Sequence, residues 1–223
     1  MRLIDREYVR SLMPRRDPAG HKGTFGKAYL LGGSVGYTGA PVLCAAAAER
    51  SGCGLVLLGV PESVWPAAAV KCWGAMPHPL PEQDGRLSPA AEEEIRRRAA
   101  GCDAVAMGCG MGRGEESDLL LRRLLTVEKP LVLDADGINA LEGHIDTLSR
   151  RPCATVLTPH DGELARIGGD MTASWAGIGL GVLSGLCYAS YTVFAHYGLA
   201  HYESYTMIYW TFLVAGLGSV FFA

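Results

Sequence analysis

Apolar positions fall into two regimes along the chain. Up to Ile167, short apolar runs rich in Val, Leu and Ala are each ended by glycine or a polar residue and followed by a helical pattern; from Trp175 on, apolar character is nearly continuous. In the first regime the runs 28–31, 55–59, 104–107, 131–133 and 155–157 predict strands, and the periodic segments 41–51, 89–100, 115–125, 138–148 and 162–167 predict helices. Strands alternating with helices predict an α/β fold, a parallel sheet with flanking helices. The helix over 89–100 is predicted to lie on the surface. Ser88 is placed to cap it and Pro89 to open it, with Glu92, Glu93 and Glu94 at its positive end and Arg96, Arg97 and Arg98 at its negative end.

The second regime predicts a different solvent. Residues 175–194 and 205–223 are uncharged runs of 20 and 19 residues, each long enough to cross a hydrocarbon core of roughly 30 Å at about 1.5 Å per residue. They predict an all-α hairpin of two transmembrane helices. Gly177, Gly181, Gly185 and Ala189 form a small-residue ridge, and Tyr188, Tyr191, Tyr197, Tyr202, Tyr205, Tyr209 and Trp210 cluster around the connection. That connection, with His196, His201 and Glu203, lacks Lys and Arg, whereas Arg150, Arg151 and Arg166 precede the first run. The positive-inside rule then places the soluble part in the cytoplasm, tethered to the membrane. The expected organisation is a domain over 1–168, a junction over 169–174 and a hairpin over 175–223.

Composition sharpens this division. Of 20 Lys and Arg and 23 Asp and Glu residues, only Glu203 lies beyond Asp170. The formal charge of -3 comes with no polybasic run, so nucleic acid is not an expected partner. The 7 cysteines are scattered without a Cys-x-x-Cys pair, which argues against a disulfide framework and a zinc site and suits a reducing compartment. The first residues, Met-Arg-Leu-Ile-Asp-Arg-Glu, lack the apolar core of a secretory signal.

In an open parallel sheet ligands gather beyond the carboxyl ends of the strands. There the chain places Gly32-Gly-Ser-Val-Gly-Tyr-Thr-Gly-Ala-Pro41, Gly108-Cys-Gly-Met-Gly-Arg-Gly114, Asp134-Ala-Asp-Gly-Ile-Asn139 and Thr158-Pro-His-Asp-Gly-Glu163. The two glycine-rich loops offer backbone N–H groups to an anion, and the acids suit magnesium or proton transfer. Four such segments on one rim predict a site for a phosphate-bearing ligand. A dinucleotide fingerprint is not among them, because Arg113 stands where its last glycine belongs.

These segments, with His21-Lys-Gly-Thr-Phe-Gly26 and Gly52-Cys-Gly-Leu-Val56, resemble in order and spacing the ATP- or ADP-dependent NAD(P)H-hydrate dehydratases. The resemblance implies a ribokinase-like fold, here incomplete, and repair of hydrated NADH or NADPH, in which ADP or ATP with Mg2+ drives phosphorylation of the hydrate hydroxyl before elimination. It implies substrate contacts at Ala40, Gly112 and His160, and a magnesium or phosphate neighbourhood at Asp134, Asp136, Asn139 and Glu163. No protein-held metal site is expected; a homo-oligomer is compatible. The family's Gly-Ser/Thr-Gly-Asp segment, source of the catalytic base, has no counterpart. Gly168-Gly169-Asp170 has Ile167 in place of its first glycine and reads as a helix C-cap and linker. The expected enzyme is therefore a lyase that is inactive as written.

Residues 177–212 resemble the start of the second repeat of EamA-type drug/metabolite transporters. A membrane protein of that class, or a non-functional fusion of two fragments, is the alternative reading. Without strands beyond Leu157, the sheet is expected to keep an uncovered apolar edge and face and to be open to proteases.

Overall fold

The computed structural model describes residues 5–12 and 16–168. The expected membrane hairpin and its loop residues lie outside the described residues. Backbone contacts divide the chain into Met1–Gly169 and Asp170–Ala223. No helix among the described residues is long and apolar enough to cross a membrane.

A six-stranded, all-parallel sheet runs in the order β3-β2-β1-β6-β7-β8. Its strands are β1 (Lys27–Leu31), β2 (Leu55–Pro61), β3 (Met76–Leu80), β6 (Ala104–Met107), β7 (Leu131–Leu133) and β8 (Thr155–Leu157). Between them the chain forms α2 (Gly39–Arg50), α3 (Trp65–Lys71), the hairpin β4 (Glu82–Gln83) and β5 (Arg86–Leu87), then α4 (Glu92–Ala100), α5 (Glu115–Leu124), α6 (Asp136–Asn139) and α7 (Asp161–Ile167); α1 (Arg6–Leu12) precedes the sheet. All five expected strands are present.

Alternation along the strands separates two cores. Tyr29, Leu31, Val105, Met107, Leu131 and Leu133 face the side packed by Ile95, Leu120, Leu121, Leu124, Ile138 and Leu141. Leu30, Val56, Leu58 and Val60 face the other side, against Ala45, Val64 and Ala68 of the α2–α3 region. At the nearly 25 cal/mol per Å² typical of apolar burial, these two faces dominate the stability of the domain. The second face is incompletely covered among the described residues. Ala106, Val132 and Val156 form one cross-strand row, and Val132 and Val156 are 37% and 54% exposed.

Two expectations need correction, and two further elements were not foreseen. No helix spans 138–148: α6 ends at Asn139, Gly143 takes φ +72, and a 3-10 turn covers Ile145–Arg150. A residue in the left-handed region cannot continue a right-handed helix. The helix expected from Pro89 begins with a 3-10 turn, Pro89–Ala91, and becomes α-helical at Glu92; Ser88 is extended but its side chain makes no cap bond. Strand β3, Met-Pro-His-Pro-Leu, was not expected because proline interrupts ladders, yet as an edge strand it keeps one side free of that demand. The β4–β5 hairpin was not expected either. Asp84 and Gly85 take φ 50 and 72 between paired Gln83 and Arg86, the two left-handed residues that a primed hairpin turn requires.

Candidate functional site

Strand order reverses at β1, whose neighbours β2 and β6 lie on opposite sides. A crevice opens at such a point because the crossovers leave in opposite directions. The loop after β1 and the loop after β6 form its two walls. Gly33 N donates to Cys109 O at 2.9 Å and Ser34 Oγ to Gly110 O at 2.9 Å. A Cβ on Gly32 would stand 2.7 Å from Cys109 O, and one on Gly108, at φ +122, would stand 1.9 Å from Asp134 O. The glycines here are therefore demanded by backbone contact between three strand-end loops.

A concavity of about 530 Å³ lies over this crevice, lined among others by Ser34, Tyr37, Ala40, Arg86, Gly112 and Asp136. Val35 and Tyr37, 63% and 64% exposed, offer apolar surface to its lining, and Arg86 and Arg113 bring guanidinium groups to the same concavity. Asp136 ties the far wall down, its Oδ2 accepting from Gly112 N at 2.9 Å. Ala135, between the two aspartates, takes φ 48 without being glycine. Such a conformation costs on the order of 1–3 kcal/mol and tends to occur where a loop is shaped for a ligand.

The expected site residues divide into those that meet at this concavity and those that do not. Ala40, Gly112 and Asp136 line it together. Asp134 lies one strand-end loop away, its carboxylate accepting from Thr158 Oγ1 at 2.6 Å and from Cys109 Sγ at 3.3 Å. Asn139, buried, is bonded through Oδ1 to Arg166. His160 caps α7: its Nδ1 accepts from Gly162 N at 3.1 Å and Glu163 N at 3.4 Å. Buried Glu163 returns the contact, Oε2 accepting from His160 N at 3.1 Å and Oε1 lying 3.2 Å from His160 Nε2. The imidazole itself is largely exposed. Among the described residues no group of three or more His, Cys, Asp or Glu side chains is placed to hold a metal ion.

Sequence reasoning missed Arg86, which the Asp84-Gly85 turn delivers to the rim, and the Cys44–Cys109 pair. Cys44, on the second turn of α2, interacts through its thiol with Cys109 in the loop after β6. That interaction draws the Cys44 thiol down to about 7 against the opposing effects of burial and Asp134. Cys109 is correspondingly pushed up, by Cys44 first and then by burial.

A doubly wound sheet with a glycine-walled crevice at its reversal point defines an α/β protein whose ligand crevice would lie beyond the carboxyl ends of β1 and β6. Its fold is ribokinase-like: a protein of that superfamily from Enterococcus faecalis matches with a TM-score of 0.61 at 22% identity over 74% of this chain and 55% of its own. Residues 28–180 match the NAD(P)H-hydrate dehydratase family, and the chain belongs to it. A bifunctional NAD(P)H-hydrate repair enzyme of Salinibacter ruber is 43% identical over 166 residues, covering 73% of this chain and 31% of the relative. An ADP-dependent (S)-NAD(P)H-hydrate dehydratase of Neisseria meningitidis is 38% identical over 69% of this chain and 49% of the relative. The ADP/ATP-dependent NAD(P)H-hydrate dehydratase of Bacillus subtilis, co-crystallized with ATP/Mg2+, superimposes with a TM-score of 0.57 at 34% identity, over 73% of this chain and 54% of that one. The chain thus spans about a third to a half of these curated relatives' length.

Proposed function

We propose that the domain recognises hydrated NADH or NADPH at the crevice between β1 and β6, as the substrate-binding part of a hydrate dehydratase. The observation that supports this reading is the meeting of Ala40 and Gly112 on one concavity that also carries exposed Val35 and Tyr37 and the guanidinium groups of Arg86 and Arg113. A nicotinamide dinucleotide likewise combines aromatic rings with phosphates. Gly112 contributes backbone to the concavity, and Asp136, which accepts its N–H, fixes the loop. His160 stands further along the rim, on the loop after β8, as a third substrate contact for a ligand that extends past Asp136 and Asp134.

ADP or ATP with Mg2+ would supply the phosphoryl group that makes the hydrate hydroxyl a leaving group; the Neisseria meningitidis relative is ADP-dependent and the Bacillus subtilis relative is ADP/ATP-dependent and was co-crystallized with ATP/Mg2+. The described residues offer no protein cage for the metal: Asp134, Asn139 and Glu163 each serve neighbouring groups, and only Asp136 reaches the concavity. In this reading they act as a polar neighbourhood for a nucleotide-borne metal. The Gly-Ser/Thr-Gly-Asp segment associated with the base occurs nowhere in the 223 residues. The proposed behaviour is therefore binding without turnover at an ordinary enzymatic rate. Isothermal titration of the full chain with hydrated NADPH should show saturable binding that Gly112→Val abolishes; absence of binding by the unsubstituted chain overturns the reading.

A membrane tether over 175–223, with the domain on the cytoplasmic side, is proposed from the uncharged runs alone. Alkaline carbonate extraction should leave the chain in the membrane pellet, and recovery in the supernatant refutes it.

A further inference from the structure

We infer that Arg86 is the anchor for the phosphate or pyrophosphate of the ligand held at this crevice. The inference rests on the binding reading above and names the group that gives it charge selectivity. Arg86 belongs to neither glycine loop. It is carried in by the β4–β5 hairpin, which is held by three hydrogen bonds at two points. Val35 N donates to Gly85 O at 2.9 Å. Ser63 donates to Glu82 Oε2 through N at 2.9 Å and Oγ at 2.7 Å. The tight Asp84-Gly85 turn then leaves Arg86 one residue from the rim.

The side chain lies across the second glycine loop. A Cβ on Gly112 would meet Arg86 Nε at 2.9 Å and Cδ at 3.1 Å, and one on Gly114 would stand 3.8 Å from Nη1. The glycines at 112 and 114 therefore leave the space in which the guanidinium sits. It lines the main concavity and also a smaller one of about 150 Å³ beside the first turn of α5. Its neighbour Arg113 is already engaged, 3.3 Å from Glu142 and 4.0 Å from Asp118. Arg86 makes no ion pair and no side-chain hydrogen bond among the described residues.

A partly buried guanidinium without a carboxylate partner, fixed beside a backbone loop, is suited to an anion that accepts two parallel N–H bonds. Carboxylates also meet that geometry, and the glycine-rich backbone beside Arg86 adds the open space that a larger tetrahedral phosphate needs. Phosphoryl oxygens are common to the hydrated dinucleotide and to ADP or ATP, so the two sources are separated by experiment.

The full chain and its Arg86→Ala and Arg86→Lys variants are titrated with NADPH in its hydrated form, ADP, inorganic pyrophosphate and the phosphate-free nicotinamide riboside. Thermal unfolding serves as the control for folding. Arg86→Ala should weaken hydrated NADPH at least tenfold and flatten its salt dependence, leave nicotinamide riboside unchanged, and be only partly rescued by lysine, which keeps the charge and loses the fork. Equal affinity for hydrated NADPH in wild type and Arg86→Ala overturns the inference while the binding reading stands. Arg86-dependent binding of ADP or pyrophosphate without binding of hydrated NADPH keeps the anion anchor and overturns the dinucleotide reading. Binding of none of the four overturns both.

Discussion

Replacing Gly108 by alanine tests the contact that joins three strand-end loops into one crevice. Gly108 sits at φ +122, and an added Cβ would fall 1.9 Å from Asp134 O, 2.6 Å from Gly137 N and 2.9 Å from Gly137 Cα. All three are backbone atoms, so no rotamer change relieves the overlap. The loop after β6 must then withdraw from the loop after β7, breaking the bond from Gly112 N to Asp136 Oδ2 on which the concavity depends. Gly36→Ala is the matched control. Its φ is +90, and nothing lies within 4 Å of the added Cβ. The control carries only the conformational cost of a left-handed alanine, about 1–2 kcal/mol. Gly108→Ala adds an overlap in a packed region worth about 1–3 kcal/mol more. With a urea dependence of about 2 kcal/mol per M for a domain of this size, Gly108→Ala should unfold about 1 M earlier than Gly36→Ala. Amide exchange at increasing urea, read on β1, β6 and β7, reports this domain. Equal midpoints for the two variants would refute the claim that loop contact, and not backbone conformation alone, requires glycine at 108.

Two further outcomes follow from titratable groups. His78 on β3 stacks on Tyr29 at 5.6 Å and shares a 3.1 Å hydrogen bond with its hydroxyl; burial, then Arg98, draws its imidazole down to about 4. Between pH 6.5 and that value the unfolded chain binds a proton that the folded one refuses, so stability is full above the window and is lost as pH falls through it. With solvent screening of the half-buried ring, the loss is about 1–2 kcal/mol. His78→Phe should flatten the dependence of urea midpoint on pH over that window. Cys44 should react with iodoacetamide with a rate midpoint near its thiol's value of about 7, and Cys109→Ala should raise that midpoint because it removes the side chain whose hydrogen bond favours the thiolate; an unchanged midpoint contradicts the pairing.

The strands of the central sheet were legible because each is a short apolar run that stops at glycine, proline or a polar residue. The rim was legible for the same reason, since what stops a buried parallel strand is what borders the ligand. Two elements escaped for opposite reasons. β3 carries Pro77 and Pro79, residues that argue against a strand unless its edge position is already known. The hairpin that delivers Arg86 had a local signal, Asp84-Gly85, but its strands are only two residues long and too short to show alternation. In the site, Ala40 and Gly112 were found through family spacing. The capping role of His160 and the engagement of Glu163 were not, because both depend on the rotamers of one helical turn. The Cys44–Cys109 contact spans an α-helix and a distant loop, and no spacing rule encodes it.

The central claim is binding of a hydrated nicotinamide dinucleotide at the β1–β6 crevice. The most direct measurement is titration of the full chain with hydrated NADPH, with NADPH formation followed at 340 nm in the same sample once ADP or ATP and Mg2+ are added. The account predicts saturable binding, lost in Gly112→Val, with no turnover at an enzymatic rate. Absence of binding would contradict it, and turnover would contradict the part that assigns this chain a binding role without the missing base.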